Sequence, residues 1–359
     1  MASSCWRFEG SGLSGIASVK DEAAILLQAL TWKRAGRGVA LATVIETFGS
    51  APRPVGSHLA TEEGGLFCGS VSAGCVEGEL LTAALEAICD AAPRVLEFGV
   101  ADETAWRVGL SCGGRIAVLV EKIDDARAAL LSDVLAESSA RRACALVTPL
   151  DCGEATLLRD GDFDGASGLV VRSDERVFVN VYRPAPRLVI VGAVHVAQAL
   201  APMAQAAGLD VTVVDPRSVY AAEERFPQTR LDLRWPDEAF PQIGLDPYTA
   251  LVVLTHDPKI DDIALRLALA SNCFYIGALG SRATHARRIE RLMADGVTSE
   301  ALARLRAPIG LDIGAISPAE IAVSILAEII LARGRKPLRT EPRTPLEARA
   351  PSLCDPEAQ

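Results

Sequence analysis

Residues 69–78 (GSVSAGCVEG) place one cysteine among small side chains, where an apolar stretch gives way to a predicted helix. A thiol near a helix N-terminus is biased toward the thiolate. Small neighbours such as Ser72 and Gly74 let the backbone turn sharply and leave its N–H groups open to a ligand. The segment therefore predicts a pocket wall with Cys75 as a soft donor, although a small apolar residue starting a packed helix would also account for it.

Two other glycine-containing loops favour the pocket interpretation. Residues 48–56 (FGSAPRPVG) form a proline-rich loop that carries Ser50 and one cation, Arg53, and residues 109–114 place Cys112 among glycines. Binding residues are concentrated on such loops, and a packed core does not require three of them with two thiols. We therefore expect Ser50, Arg53 and Cys112 to be neighbours of Cys75 in a binding site.

The apolar pattern predicts a mixed α/β domain in the first half of the chain. Predicted helices lie near residues 22–32, 76–91 and 124–137, and predicted strands at 39–47, 66–71, 94–98, 115–121, 144–148, 154–158 and 176–181. Residues 183–186 (RPAP) can continue neither a helix nor a central strand. We therefore assign the first domain to residues 18–183.

The second half alternates strands with helices, which is typical of a Rossmann-like parallel sheet. A strand at 187–191, a helix to 207 and a strand at 211–215 form a βαβ unit. Strands at 251–254 and 274–276 follow, with helices near 261–270, 283–294 and 318–333. The second domain is thus expected at 187–334, followed by a proline-rich, disordered tail at 335–359.

The dinucleotide fingerprint of this sheet is incomplete. Gly192 can make the tight turn after the first strand, but Val194 occupies the second glycine position and Ala197 the third. A β-branched residue resists positive φ and fills space that a pyrophosphate needs. Asp215, which ends the second strand, is well placed to bind ribose hydroxyls. The pattern predicts the fold and leaves NAD(P) binding in doubt.

Two histidines in the second half lie at predicted turns. His195 begins a helix, where it either bonds to nearby backbone or donates to an anionic ligand. His256 and Asp257 follow a strand end, where open α/β sheets bind their ligands. These three residues are therefore candidates for a binding site.

Residues 277–282 (GALGSR) form another predicted strand-to-helix turn. Ser281 can cap the helix, while the backbone at Gly280 and the side chain of Arg282 can receive a phosphate. Capping accounts for Ser281 but not for the glycines and the arginine together, so the turn is a candidate anion site.

Composition limits the classes of partner. The chain has 359 residues, a net charge of −10 and scattered basic residues, so we expect no nucleic-acid partner. The first 18 residues lack a continuous apolar run and no segment reaches transmembrane length, which predicts a cytoplasmic protein with no membrane partner. Nine cysteines without a Cys-x-x-Cys pair favour free thiols over disulfides or structural zinc.

Together these motifs resemble the xanthine dehydrogenase accessory factors, the XdhC/CoxI family. The resemblance covers roughly residues 20–335. It rests on the segments 49–56, 69–78, 112–114, 192–193 with 195, 255–257 with 261, 275–282, 308–314 and 317–326. The chain departs from the family at Val194, where glycine is usual.

The resemblance implies a chaperone that binds molybdenum cofactor, in its molybdopterin form, as cargo. Such a protein protects the cofactor during terminal sulfuration and delivers it to an apo molybdenum hydroxylase. It further implies that Cys75 contacts the metal, by ligation or sulfur exchange, and that Arg53 pairs with phosphate. No catalytic residue is expected. A cysteine desulfurase as a second partner and a homodimeric state are left open.

Two other functions compete with the cofactor carrier. The first is an NAD(P)-dependent oxidoreductase that uses Asp215 and a residue near His256. The second is a sulfur-transfer enzyme that uses Cys75 with Cys112 as the resolving thiol. Binding of NADH would favour the first, and a persulfide on Cys75 would favour the second.

Overall fold

The computed structural model describes residues 22–49, 51, 53–72, 74, 76–99, 114–150, 154–159, 163, 165–172 and 175–334. The expected tail at 335–359 lies outside this part of the chain. The chain divides into two compact units, Met1–Pro184 and Ala185–Gln359.

The helices are α1 (Glu22–Arg34), α2 (Glu77–Asp90), α3 (Asp125–Ser139), α4 (His195–Ala206), α5 (Pro236–Ile243), α6 (Pro258–Leu269), α7 (Arg282–Ala294), α8 (Ser299–Leu302) and α9 (Pro318–Ala332). The strands of the first unit are β1 (Val39–Phe48), β2 (His58–Glu62), β3 (Phe67–Gly69), β4 (Arg94–Phe98), β5 (Arg115–Lys122), β6 (Cys144–Pro149), β7 (Thr156–Arg159), β8 (Gly168–Arg172) and β9 (Glu175–Tyr182). The strands of the second unit are β10 (Arg187–Val191), β11 (Asp210–Val214), β12 (Arg230–Asp232), β13 (Thr249–Val253), β14 (Tyr275–Ala278) and β15 (Leu305–Arg306).

The first unit contains two antiparallel sheets, in the orders β3-β2-β1-β5-β4 and β7-β6-β9-β8. The central strand β1 is buried over most of its length, as its run of apolar and β-branched residues predicts. Helix α2 packs Leu80, Ala84 and Ala87 against this sheet, because their spacing puts them on one helix face. The loop that joins β3 to α2 is the predicted cysteine segment.

The second unit is a parallel sheet in the order β12-β11-β10-β13-β14-β15. Counted along this unit, the order is 3-2-1-4-5-6, that of the Rossmann fold. Leu188 and Ile190 of β10 join a core with α4 and α9, whereas Val189 and Val191 join a core with α5 and α6. The predicted fold class, a mixed α/β domain followed by a Rossmann-like parallel sheet, is confirmed.

The sheet order also explains how separate sequence motifs are collected. Strands β10, β13 and β14 are neighbours and run in the same direction. The turns that follow them therefore lie at one edge of the sheet, where open α/β sheets bind ligands.

None of the described helices has both the length and the apolar character needed to cross a membrane.

Candidate functional site

The loop between β3 and α2 is organised by the carboxylate of Glu77, the first residue of α2. Its Oε1 accepts hydrogen bonds from Ser70 Oγ at 2.7 Å and Ser72 N at 3.1 Å. Its Oε2 accepts from Ser72 Oγ at 2.6 Å, Gly74 N at 2.9 Å and Val76 N at 3.2 Å. The residues on both sides of position 75 are thus bound to the same carboxylate oxygen.

This environment keeps Glu77 ionised. Burial raises the pKa of its carboxyl group, but the hydrogen bonds from Ser72 and Ser70 outweigh burial and hold that pKa below its ordinary value. A negative charge is also favoured at the N-terminus of a helix. A carboxylate with this many donors is a structural anchor for the loop, and its lone pairs are not free to act as a base.

Arg53 connects the preceding loop to the same segment. Its Nε donates to the Ser70 carbonyl at 3.1 Å, and its Nη2 donates to Glu22 Oε1 at 2.8 Å. The other oxygen of Glu22 accepts from His58 N at 2.9 Å. The structure therefore brings the predicted cation to the β3–α2 loop, with its charge partly balanced by a carboxylate.

Three predicted site residues, Cys75, Ser50 and Cys112, lie outside the described residues. Ser72, Gly74 and Arg53 are described, and all three contact the β3–α2 loop or belong to it. In the part of the chain that the structure describes, no group of three or more His, Cys, Asp or Glu side chains could hold a metal ion. The metal contact at Cys75 stays a prediction.

His58 links this loop to a buried polar cluster inside the first unit. Its carbonyl accepts from Ser70 N at 3.0 Å. Its Nδ1 lies 2.9 Å from Thr43 Oγ1, and its Nε2 lies 3.1 Å from the Tyr182 hydroxyl. Burial, reinforced by two nearby guanidinium groups, lowers the pKa of His58 to about 3. The ring is therefore neutral and serves to connect β1, β2 and β9.

In the second unit, the turn after β10 forms with valine at the second glycine position of the dinucleotide fingerprint. Gly192 has φ +112°, and a Cβ there would lie only 2.7 Å from Thr255 Cγ2. Val194 has φ −91° and ψ 175°, which is extended backbone that valine adopts without strain. His195 follows as the exposed first residue of α4. The turn thus needs glycine at its first position only.

Asp215, directly after β11, is fully buried and already hydrogen-bonded. Its Oδ2 accepts from Ala193 N and from Arg217 Nη2, both at 2.8 Å. Its Oδ1 accepts from Arg217 Nε at 2.9 Å and Arg217 N at 3.0 Å. Burial raises its pKa, but these hydrogen bonds outweigh burial and lower it. Both oxygens that would bind a ribose are engaged, and the ribose role stays a prediction.

The turn after β13 contains an unusual backbone conformation. His256 is exposed and has φ +63°, a region that few residues other than glycine adopt. Asp257 caps α6 by accepting from Lys259 N at 3.0 Å, and its own N–H donates to Thr255 Oγ1 at 3.0 Å. Thr255 Oγ1 in turn donates to Asp261. These bonds hold the strained turn at the edge of the sheet formed by the carboxyl ends of its strands.

The turn after β14 holds the predicted anion motif. Gly280 has φ +141°. Ser281 caps α7 by accepting from Thr284 N at 3.2 Å. Arg282, which is exposed, is the first residue of this 13-residue helix. All three predicted residues therefore lie at one helix N-terminus.

Three charged residues beside these loops were not predicted from the sequence: Glu22, Arg217 and Arg288. Arg288 lies four residues before Leu292, and both are buried on one face of α7. A charged residue within the apolar face of a helix is a signal that could have identified it. Glu22 and Arg217 carry no comparable signal, because their partners Arg53 and Asp215 are recognised only in the folded chain.

The fold and these loops define a class of α/β protein in which a mixed unit with a small-residue loop precedes a Rossmann unit. Residues 32–99 match the domain family described as "XdhC and CoxI family", and residues 188–329 match the "XdhC Rossmann domain". The chain belongs to the XdhC and CoxI family.

Similar proteins cover most of the chain. The molybdenum cofactor insertion chaperone PaoD of Escherichia coli (strain K12) is 30% identical over 320 residues, which are 87% of this chain and 89% of that protein. A probable xanthine dehydrogenase subunit from Bacillus subtilis (strain 168) is 29% identical, covering 82% and 93% of the two chains. A crystal structure of a xanthine dehydrogenase from Bacillus halodurans has a TM-score of 0.67 and 26% identity, covering 87% of this chain and 96% of that one.

Proposed function

We propose that this protein is a molybdenum cofactor chaperone, which binds the molybdopterin form as cargo and protects it during sulfuration. It then delivers the cofactor to an apo molybdenum hydroxylase of the xanthine dehydrogenase type. The proposal is supported by family membership and by the similarity to a relative named as a molybdenum cofactor insertion chaperone. A cysteine desulfurase would be the sulfur donor.

The β3–α2 loop is the observation that carries the proposal. Gly74 N and Val76 N both donate to Glu77 Oε2, so the backbone on each side of Cys75 is fixed. Preorganised neighbours lower the conformational cost of binding a bulky ligand. A carrier that must hold and release its cargo needs this kind of rigid support without a catalytic base, and Glu77 is engaged as an anchor.

The residue types fit the two ends of the proposed cargo. Thiolates are soft ligands, so Cys75 suits the molybdenum end, with Cys112 as a second thiol and Ser50 as a polar neighbour. Arg53 lies at the same loop and suits an anionic group, because guanidinium binds phosphate through paired hydrogen bonds. A phosphate there would share Arg53 with Glu22.

The geometry of the Rossmann unit favours a carrier over an NAD(P)-dependent oxidoreductase. A dinucleotide needs bare backbone at position 194 and a free carboxylate at the end of the second strand. Here Val194 occupies the first position, and Arg217 and Ala193 donate to the carboxylate of Asp215. NAD(P) is therefore not part of the proposed function.

The experiment is co-purification of the full chain from a host that makes molybdenum cofactor, followed by molybdenum and pterin analysis. Wild-type protein is expected to carry the cofactor and to activate the apo hydroxylase. Cys75→Ala should lower cofactor occupancy at least about tenfold, because it removes the soft donor.

The matched control is Cys89→Ala, which removes an exposed free thiol on α2. It should retain wild-type cofactor content. Full binding and full client activation by Cys75→Ala would refute the thiol role. A persulfide on Cys75 after incubation with a desulfurase, without bound cofactor, would instead favour sulfur transfer.

A further inference from the structure

A buried arginine in α7 has donors without partners. Arg288 is 1% exposed, and its Nη2 donates to the Leu279 carbonyl at 2.9 Å and lies 3.5 Å from Asp261 Oδ2. Its Nε and Nη1 have no hydrogen-bond partner. Buried donors in folded proteins are nearly always satisfied. The guanidinium therefore needs an acceptor that the described residues do not supply.

The unpartnered donors lie at the turn after β14. A Cβ on Gly280 would be 3.8 Å from Arg288 Nη1 and 3.3 Å from Thr284 Cγ2. Because glycine has no side chain, Nη1 lies against the backbone of this turn with no side chain of residue 280 between them. The same guanidinium donates a hydrogen bond to the Leu279 carbonyl, so Arg288 is connected directly to the turn.

His285 adds a third unpartnered nitrogen to the two of Arg288. Its Nδ1 is buried without a hydrogen-bond partner, and the residue lies three positions before Arg288 on the same helix face. Burial, followed by the nearby charge of Arg288, lowers the pKa of His285. A neutral ring can still donate from Nδ1 to an acceptor.

The N-terminus of α7 contributes further donors. Ser281 accepts only one of the first backbone N–H groups, that of Thr284. The first turn contains no acidic residue, and it begins with Arg282. The partial positive charge of the helix end and Arg282 therefore belong to the same turn.

Asp261 forms an ion pair with Arg288, and its oxygens are engaged away from the unpartnered donors. Its Oδ1 accepts from Thr255, and its Oδ2 faces Nη2 of Arg288. Burial raises the pKa of its carboxyl group. It therefore leaves Nε and Nη1 uncompensated.

We propose that the Gly280 turn binds the phosphoryl group of a phosphorylated small molecule, held by Arg282, the N-terminus of α7 and the free donors of Arg288. Every unsatisfied group here can donate, so the ligand must be rich in acceptors. A phosphoryl group offers oxygens in several directions, which suits donors from a helix end and a guanidinium together. The phosphate belongs to a nucleotide or to a simpler phosphomonoester.

The test titrates the full chain with inorganic phosphate and with ADP, using calorimetry and ³¹P NMR. Saturable binding is expected, and Arg282→Gln should weaken it about tenfold. Arg287→Gln, which removes an exposed arginine from the same helix, should change the affinity less than about twofold. Arg288→Lys keeps the charge but loses the planar fork, and should also weaken binding.

The ratio of the two affinities identifies the source of the phosphate. Much tighter binding of ADP supports a nucleotide, and equal binding supports a phosphomonoester. Absence of saturable binding by wild-type protein, or equal losses in Arg282→Gln and Arg287→Gln, would overturn the proposal. If Arg288→Lys does not fold, the comparison of Arg282→Gln with Arg287→Gln still tests the proposal. The assay needs no molybdenum cofactor and no Cys75, so its failure is distinguishable from failure of the chaperone proposal.

Discussion

Glu77 determines the shape of the loop around Cys75 more than the small residues alone could. Small side chains permit a sharp turn but do not select one conformation, because they leave many backbone states accessible. The Glu77 carboxylate selects one by accepting hydrogen bonds from Ser70, Ser72, Gly74 and Val76. The proposed ligand site is therefore positioned by a residue that does not itself bind the ligand.

Glu77→Gln is expected to destabilise the first unit by about 2 kcal/mol, because the amide NH₂ that replaces one carboxylate oxygen cannot accept the hydrogen bonds which that oxygen receives. Thermal or urea unfolding measures the change. Glu79→Gln is the matched control, since it removes an exposed carboxylate from the same first helical turn. Equal losses in the two variants would show that the helix end, and not the loop, needs the charge.

The same residue predicts a dependence on pH. The pKa of Glu77 is lower in the folded protein than in the unfolded chain. Its contribution to stability is therefore fully present above the unfolded value of about 4.3, and is lost as the pH falls through the folded pKa. The Tm difference between wild type and Glu77→Gln should be constant near neutral pH and shrink below about pH 4.

His58 should make the first unit sensitive to weak acid. Its folded pKa of about 3 lies below the unfolded value of about 6.5, so only the unfolded chain takes up a proton between them. Stability should therefore fall as the pH drops from about 6.5 toward 4.5. His58→Gln should flatten this slope in a plot of Tm against pH, whereas His285→Gln, in the second unit, should leave the first unit's slope unchanged.

At the scale of elements, strand β3 leads into the β3–α2 loop, and its backbone passes very close to that of β2. Gly69 has φ +85°, and a Cβ there would lie 2.3 Å from the His58 carbonyl oxygen. Gly65 has the same φ, with nothing within 4 Å of its Cβ position. Alanine substitutions at these two glycines therefore separate two free-energy costs: that of a side chain on left-handed backbone, and that of a clash with a neighbouring strand.

Gly65→Ala should cost about 1 kcal/mol, which is the typical penalty for a side chain in left-handed backbone. Gly69→Ala should cost at least about 3 kcal/mol, because β3 must also move away from β2. Chemical denaturation of the two variants measures the difference. Equal losses would show that β3 can shift without affecting the rest of the sheet.

The elements with long apolar runs were predictable, whereas several of the short ones were not. The strands β1, β5 and β10 and the helices α2 and α4 carry enough periodic residues to be recognised locally. Four strands were missed because such short strands depend on pairing with a neighbour: β2, β8, β12 and β15. Helix α5 was missed because Pro241 lies inside it.

The residues of the candidate site likewise divide into those recognisable from local sequence and those that depend on distant partners. Residue type and position after a strand selected Arg53, His256 and Ser281 as candidates, because ligand-binding residues concentrate on the loops that follow strands. Partners that are distant in sequence could not be found in this way. The bonds of Arg53 to Glu22 and of Arg288 to Leu279 exist only once the packing is known.

At the scale of the whole molecule, each hydrophobic core cluster belongs to a single unit. The clusters around β1, α1 and Phe178 use residues of the first unit, whereas those on the two faces of β10 use residues of the second. The division between the units lies between Pro184 and Ala185. Stability should accordingly be distributed over two cooperative units.

The fragment 185–359 should therefore fold alone, because it contains both faces of its parallel sheet covered by helices. Its thermal transition should coincide with one of two transitions of the full chain, and Glu77→Gln should shift only the other. Circular dichroism and calorimetry measure both. An unfolded fragment, or one transition in the full chain that Glu77→Gln shifts as a whole, would show that the Rossmann unit needs the first unit for its stability. A folded fragment that still binds phosphate would place the Gly280 turn's proposed function in the second unit alone.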